Sequence, residues 1–220
     1  RRNTAFEMGA AFKQLWDRKA KDPGKHDLIS IMLQSDAMKH MSEFEFMGNL
    51  ILLIVGGNDT TRNSMSAFAY GLHQFPEERA KLEQDHSHEL AVNAMHELLR
   101  WQTPLAHMRR TCTVEHEYEG HVFMPRDKIA LWYGSSNRDE SVFKDADRII
   151  VDRENARRHL AFGYGIHRCV GARVAEMQLT ALISEMQKRR LRVNVLAEPE
   201  RVPACFVHGY RKMMVELERY

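Results

Sequence analysis

The sequence predicts a mainly α-helical protein with small β-sheets. A helical period of apolar residues continues from Ser42 to Phe75, and shorter amphipathic segments lie on both sides of it. Strand-like alternation, with turn residues between the strands, is confined to a region from Thr111 to Tyr133 and to the C-terminal tail. A long helical period favours helices as the framework, and short alternating runs favour hairpins.

Composition limits the classes of partner and compartment. A chain of 220 residues can bury one sizeable core, so we expect one domain or half of a larger one. The formal net charge of +2 is too small to indicate nucleic-acid binding, and 28% of the residues are charged. With no apolar run long enough for a membrane span, we expect a soluble protein. The first residues also lack the apolar segment of a signal peptide.

The cysteines and the chain start give two further expectations. Cys112, Cys169 and Cys205 are odd in number, far apart and without a C-x-x-C pair, which argues against a disulfide framework or a zinc site. A reducing, cytoplasmic location is the simplest expectation. Because the sequence begins without methionine inside a helical pattern, we expect a fragment.

The N-terminal region predicts two helices. Apolar residues among charges predict the first helix over residues 5 to 20, before a break at Lys21-Asp22-Pro23-Gly24. A second, short helix is predicted around residues 28 to 33. The first is expected to be a surface helix, with apolar positions at Phe6, Ala10, Leu15 and Trp16.

The long helix begins at a capping box formed by Ser42 and Glu45 and ends at Pro76. Its predicted inward side chains recur at helical spacing: Phe44, Met47, Leu50, Ile54, Met65, Phe68, Leu72 and Phe75. The apolar run from Leu50 to Val55 resembles a strand locally, but the helical pattern continues on both sides. A buried helix is therefore predicted.

The segment Gly56 to Thr61 breaks the local rules of this helix. Two glycines are unfavourable inside a helix, and four polar residues interrupt the apolar stripe. Close helix–helix packing beside a solvated turn is one explanation. The other is a functional site in which a ligand lies against the backbone. Asp59 beside Thr60 places an acid next to a hydroxyl, which is a reasonable proton relay.

In the second half of the chain, one helix is predicted to begin after Pro76 and to reach His86. Two more are predicted over residues 89 to 101 and over residues 171 to 190. The middle helix directs Ala91, Val92, Met95, Leu98 and Leu99 inward, and the last directs Val174, Met177, Leu182, Ile183 and Met186 inward. Turns are predicted at Glu119-Gly120 and Pro125-Arg126-Asp127, and closing strands at residues 192–195 and 213–217. Glu97 and Arg100 lie at i, i+3; a surface ion pair is the usual reading.

Cys169 lies in the stretch H-L-A-F-G-Y-G-I-H-R-C-V-G, residues 159 to 171. Gly163 and Gly165 allow a sharp turn before it, and Gly171 allows the next helix to pass close to the sulfur. A helix N-terminus directed at the sulfur favours a thiolate. This layout suits a thiolate held against a flat cofactor, although a free cysteine on its own is more often structural.

The stretch resembles the F-x-x-G-x-x-x-C-x-G haem-binding motif of the cytochromes P450, through Phe162, Gly165, Cys169 and Gly171. The resemblance implies haem b with the Cys169 thiolate as axial iron ligand. G-G-N-D-T-T resembles the family's oxygen-activation motif, which makes Asp59 and Thr60 its acid–alcohol pair, with Thr60 bonded to the Gly56 carbonyl.

Further parts of the chain extend the resemblance. E-x-x-R at Glu97 and Arg100, with Arg153 as third member, implies a buried structural anchor for the haem loop. Arg110, His159 and His167 match propionate-contacting positions, although each alone would be a routine surface residue. The family's glycine after Pro125-Arg126 is replaced by Asp127, which puts that turn in doubt.

Basic residues are crowded around Cys169. A solvated face is the default interpretation, and a docking surface for an acidic electron donor is the sharper one. The set comprises Arg157, Arg158, Arg168, Arg173, Lys188, Arg189, Arg190 and Arg192.

The resemblance implies that residues 1–220 are a partial P450 domain, the C-terminal haem-binding half, inactive alone. R-W-Q-T-P-L-A-H-M-R-R-T and G-G-N-D-T-T-R-N-S-M-S are similar to bacterial medium-chain alkane terminal hydroxylases. Those enzymes imply O2-dependent hydroxylation of a terminal carbon, with electrons from a ferredoxin and its NADH-dependent reductase. Fatty-acid or terpene oxidation, a non-catalytic haem protein, and a helical protein without haem are the alternatives.

Overall fold

A computed structural model describes residues 2–22 and 27–220, with side chains from residue 7 onward. The side chain of Phe6 and the predicted break at Pro23-Gly24 lie outside the described part of the chain. The chain forms two compact units, which meet in sequence after Gly56. The mainly helical class with small sheets is confirmed.

The first unit contains helix α1 (Arg2–Ala20), helix α2 (Leu28–Gln34) and the beginning of helix α3 (Glu43–Gln74). The predicted capping box forms: the Ser42 N–H donates to the Glu45 carboxylate at 2.8 Å, and the Glu45 N–H donates to Ser42 Oγ at 3.3 Å. Phe46 is buried against Trp16, with ring centroids 4.7 Å apart. Capping therefore fixes where α3 starts.

The predicted inward position of Phe44 is wrong, since its side chain is 89% exposed. Phe46 and Leu50 are one turn apart and both are buried. Phe44 precedes Phe46 by two residues, which places it on the far side of a helix with 3.6 residues per turn. Leu52 and Val55 are also exposed, so this part of α3 is not the fully buried helix that its composition predicts.

The second unit contains the remainder of α3, helices α4 (Pro76–Gln84), α5 (His88–Gln102), α6 (Tyr133–Ser136) and α7 (Ala172–Lys188). Its core joins buried residues of α3, α4, α5 and α7 to Ile149 and Val151. The predicted inward residues of α5 are buried except Val92, which is partly exposed. In α7 the inward face is set by Leu179 and Ile183; Val174 and Met177 are exposed, contrary to prediction.

The strands of the described residues form four antiparallel pairs. They are β1 (Met108–Thr111) with β4 (Lys128–Leu131), β2 (His116–Tyr118) with β3 (His121–Phe123), β5 (Leu191–Val195) with β8 (Val215–Arg219), and β6 (Glu200–Arg201) with β7 (Tyr210–Lys212). The strand region predicted to reach Tyr133 ends at Leu131, because α6 begins at Tyr133. No helix in the described ranges is both long and apolar enough to cross a membrane.

Both predicted turns form. Glu119 and Gly120 take positive φ values of 48° and 77° between β2 and β3, as a two-residue hairpin requires. In the second turn Arg126 has φ 80°, and the Asp127 N–H donates to the Met124 carbonyl at 3.1 Å. Proline followed by a positive φ is a type II turn, where glycine is normally favoured at the Arg126 position. The Asp127 carboxylate closes this turn by accepting from the Met124 N–H at 2.8 Å.

Candidate haem-thiolate site

The cysteine loop, residues 159 to 171, is held by its own backbone. Gly163 and Gly165 have φ values of 69° and 76°, which side-chain-bearing residues rarely adopt. The Cys169 N–H donates to the Phe162 carbonyl at 2.8 Å, and the Arg168 N–H donates to Gly165 at 3.0 Å. These turns leave the Cys169 side chain exposed at the end of the loop.

The sulfur lies beside the start of α7. Gly171 is the residue before the helix, and a Cβ there would lie 4.0 Å from Cys169 Sγ. A 17-residue helix beginning at Ala172 directs its free N–H groups and positive dipole end toward this region.

The loop surface fits a flat apolar cofactor. Three side chains around Cys169 are almost fully exposed: Tyr164 (82%), Ile166 (98%) and Val170 (94%). A contiguous exposed apolar surface of this kind is typical of a binding site that another apolar surface covers. The glycines keep Cβ atoms away from the loop backbone. Within the described residues no cluster of three His, Cys, Asp or Glu side chains could hold a metal ion.

The predicted anchor is brought together in the protein interior. Glu97 and Arg100 are 0% exposed, and the Arg100 Nε and Nη2 atoms donate to the two Glu97 oxygens at 2.8 Å each. Arg153 Nε donates to both oxygens at 3.0 Å, and the Ile150 N–H donates to Oε1 at 2.9 Å. The pair is therefore not the surface ion pair that spacing alone suggests.

Asp59 and Thr60 lie in an exposed part of α3, which continues as a helix through Gly56 and Gly57. Cβ atoms added to these glycines would meet no other atom within 4 Å among the described residues. Asp59 forms an ion pair with Arg62 at 3.0 Å. Arg62 was not predicted as part of the site, although its i, i+3 spacing from Asp59 was a usable signal.

The three predicted propionate contacts lie in different environments. His167 is exposed in the cysteine loop, and Arg110 is half-buried on β1, where its guanidinium donates to the Arg109 carbonyl at 3.1 Å. His159 is buried, and both ring nitrogens are used inside the protein, by His96 at 3.2 Å and by the Ala161 N–H at 3.1 Å. These contacts do not support propionate binding by His159.

Burial lowers the pKa of His159 to about 3, with His96 and the cations Arg100 and Arg168 acting in the same direction. Burial also lowers the pKa of His96, assisted chiefly by Arg157. Both rings are therefore neutral at pH 7. Sequence reasoning missed His96, since a lone histidine beside the E-x-x-R motif gives no spacing signal for a partner 63 residues away.

The basic set around Cys169 is mostly exposed, and Arg190 is among its exposed members. Arg157, Arg158, Arg168 and Arg173 are exposed, and Arg173 also pairs with Glu176 at 2.9 Å. Lys188 and Arg189 both pair with Glu185. Arg192 is contrary to the expectation of a solvated cation, because it lies against Glu83 and over the Tyr220 ring.

A family model for cytochrome P450 matches residues 4–195. The chain belongs to the cytochrome P450 family. The recognition made from the cysteine loop is thus confirmed, and this family uses haem b.

Among the curated P450 relatives, linalool 8-monooxygenase of Pseudomonas putida is 37% identical over 206 residues, covering 93% of this chain and 50% of the relative. The methyl-branched lipid omega-hydroxylase of Mycobacterium tuberculosis (strain ATCC 25618 / H37Rv) is 36% identical over 191 residues, covering 86% and 44%. The chain therefore spans about half the length of the relatives it matches.

The fold of this chain is similar to that of solved P450 structures. CYP153D17 from Sphingomonas sp. PAMC 26605 is 64% identical with a TM-score of 0.93, covering 100% of this chain and 54% of that chain. Cytochrome P450-153 from Novosphingobium aromaticivorans is 55% identical with a TM-score of 0.93, covering 98% and 53%.

Proposed function

We propose that this chain forms the haem-binding part of a P450 monooxygenase in which the Cys169 thiolate is the axial iron ligand. The observation that carries the proposal is the exposed cysteine beside the start of α7, on a loop that presents apolar side chains outward. Haem b, when bound, supplies dioxygen activation, and a thiolate ligand favours O–O cleavage. Apolar contacts from Ile166 and Val170 would hold the macrocycle, with Arg110 and His167 at its propionates.

The polar residues of α3 would transfer protons to the reaction site. Asp59 and Thr60 present a carboxylate and a hydroxyl on consecutive residues, a spacing that permits stepwise proton transfer. The Arg62 guanidinium, 3.0 Å from the Asp59 carboxylate, would orient that carboxylate between transfers. Glu97, Arg100 and Arg153 would act only as the support that fixes the path of the chain before the cysteine loop.

The proposed reaction is hydroxylation of the terminal carbon of a medium-chain n-alkane or a related aliphatic chain. Support comes from the similarity of the α3 and α5–β1 stretches to alkane terminal hydroxylases, and from 55–64% identity to two solved structures named as P450-153 and CYP153D17. Other relatives are named for linalool and methyl-branched lipids, so a terpene or a fatty acid is the competing substrate class.

Electrons would come from a ferredoxin and its NADH-dependent reductase. The exposed arginines 157, 158, 168 and 173 form a basic surface next to the loop that carries Cys169. A positive surface accelerates encounter with an acidic carrier. The paired Lys188 and Arg189 and the enclosed Arg192 contribute less to such a surface.

The test uses the full-length protein that contains this chain, expressed with haem. The ferrous carbon monoxide complex of the wild type is expected to show a thiolate-type Soret band, and Cys169→Ala is expected to lose it. Cys205→Ala is the matched control, because Cys205 is also an exposed free cysteine. Retention of the band in Cys169→Ala would refute the ligand assignment.

The substrate is tested separately by supplying a ferredoxin system with n-alkanes of several lengths, linalool and fatty acids. Primary alcohols from the alkanes at the highest catalytic efficiency would support alkane hydroxylation. A higher efficiency with linalool or fatty acids would replace the alkane with that class.

A further inference from the structure

Two buried histidines lie beneath the cysteine loop. His96 of α5 and His159 at the start of the loop are 6% and 8% exposed, and His96 Nδ1 lies 3.2 Å from His159 Nε2. The rings are tilted by 41° with centroids 5.4 Å apart. A direct imidazole pair of this kind needs one donor and one acceptor, so the two rings restrict each other's protonation.

The neighbouring backbone assigns the donor and the acceptor. The Ala161 N–H donates to His159 Nδ1 at 3.1 Å, so that nitrogen carries no proton. A neutral His159 must then carry its proton on Nε2, and it donates to His96 Nδ1. His96 is accordingly an acceptor on Nδ1 and carries its own proton on Nε2.

The surroundings keep both rings neutral. Burial is the leading cause that lowers each pKa; Arg157, Arg168 and Arg173 add to it at His96, and Arg100 and Arg168 at His159. Glu176 is the one facing group that raises the pKa of His96. A proton added to His96 Nδ1 would set two N–H groups against each other.

The histidine pair is connected to the cysteine by short steps. The His159 ring packs on the Phe162 ring, with centroids 5.5 Å apart, and the Phe162 carbonyl accepts from the Cys169 N–H at 2.8 Å. Glu97, the residue after His96 in α5, accepts a hydrogen bond from Arg153. Helix α5 therefore supports the approach to the loop through Glu97 and the loop itself through His96.

We infer that His96 is a positioning residue for the proposed haem-ligating cysteine: its Nδ1 is a fixed acceptor that holds His159 as the Nε2–H tautomer and thereby fixes the backbone from Ala161 to Cys169. The inference rests on the proposed function, in which Cys169 binds the haem iron. No substrate contact is required of His96.

Removing the acceptor has a defined consequence. In His96→Leu the buried His159 Nε2–H has no acceptor in that direction, and an unsatisfied buried donor is unfavourable. A shift of the His159 proton to Nδ1 would relieve this, but Nδ1–H would then oppose the Ala161 N–H and open the loop. His96→Asn supplies an amide oxygen as acceptor and restores the pattern.

The experiment compares His96→Leu and His96→Asn in the full-length, haem-loaded protein. The readout is the fraction of the ferrous carbon monoxide complex with a thiol-type rather than a thiolate-type Soret band. We expect a several-fold larger thiol-type fraction in His96→Leu and a near-wild-type fraction in His96→Asn. Met95→Ala, a core truncation on the same helix, is expected to lower the melting temperature without changing the fraction.

The outcomes separate the inference from the proposed function. A wild type without the thiolate-type band refutes the proposed function itself. A wild type with the band, together with an unchanged His96→Leu or an Asn variant as impaired as Leu, overturns the role of His96. If His96→Leu takes up no haem, imidazole 15N shifts of the wild type decide: a proton on His159 Nε2 supports the inference, and one on Nδ1 overturns it.

Discussion

The anchor around Glu97 and the cysteine loop differ in solvent exposure and in how their side chains are paired. In the anchor, Glu97 and Arg100 have no exposed surface and both carboxylate oxygens are paired with guanidinium groups. In the loop, Ile166 and Val170 are almost completely exposed. The charged groups of the anchor are paired with one another, whereas the apolar side chains of the loop are exposed and have no partner surface among the described residues. Substitutions in the anchor should therefore reduce stability, and substitutions on the outward surfaces should reduce activity.

The largest effect is expected from Glu97→Gln. Two buried arginines would lose their counter-charge, and breaking a buried pair costs about 3–5 kcal/mol. Denaturant unfolding of the full-length protein measures this loss. The matched control is Glu185→Gln, which removes an exposed partner of Arg189 and should leave the free energy of unfolding at the wild-type value. Equal losses in both variants would end the distinction between anchor and surface.

The second-largest effect is expected from acid, which should lower the free energy of unfolding through His159. The pKa of His159 is about 3 in the folded protein and near its ordinary 6.5 when unfolded, so the unfolded state binds more protons below that value. Its contribution to stability is complete above pH 6.5 and declines as pH falls toward 3. The slope of unfolding free energy against pH should be smaller in His159→Gln and unchanged in the exposed control His116→Asn.

On the outward side, Thr60→Ala should lower product formed per NADH consumed several-fold while leaving the melting temperature close to the wild type. The hydroxyl is proposed to move protons and contributes little to packing. Thr61→Ala is the control, since Thr61 is the next residue and is similarly half-buried. Full coupling in Thr60→Ala, or equal uncoupling in both variants, would contradict the relay.

Arg168→Glu should slow reduction by the ferredoxin several-fold and flatten its dependence on salt, because the reversal removes attraction at the proposed docking surface. Arg211→Glu reverses an exposed charge on β7 and serves as the control. Stopped-flow reduction at two or more ionic strengths is the measurement. Identical kinetics in Arg168→Glu and the wild type would remove this surface from the interface.

The smallest effect concerns a region that belongs to neither side of the comparison. Arg126→Gly should raise the free energy of unfolding by about 1 kcal/mol at most, because glycine adopts the positive φ of this turn without the steric penalty. Thermal unfolding tests it, with the neighbouring exposed Lys128→Gly as a destabilising control in β4. A loss of stability in Arg126→Gly would show that its side chain contributes more than its backbone strain costs.

Local signals predicted much of the fold. The capping box at Ser42, the start of α4 at Pro76 and the position of α5 follow from short-range rules, and the cysteine loop is recognisable from four spaced residues. Helix α4 ends at Gln84 and not at the predicted His86. Phe44, Val174 and Met177 were misplaced because apolar character alone does not say which stripe of a helix is covered. Partner choice over long distances, as between His96 and His159, depends on tertiary packing that spacing does not encode.

Arg100 has one more property. Besides its bonds to Glu97, its guanidinium donates to the carbonyls of Asn137, Ala146 and Arg148 at 2.7–2.8 Å. The stretch between α6 and the cysteine loop has little regular secondary structure, and its backbone is held by side chains, among them Arg100 and Arg153, which donates to the Lys144 and Asp145 carbonyls. Because these bonds end on main-chain oxygens, they fix the route of the backbone toward the cysteine loop.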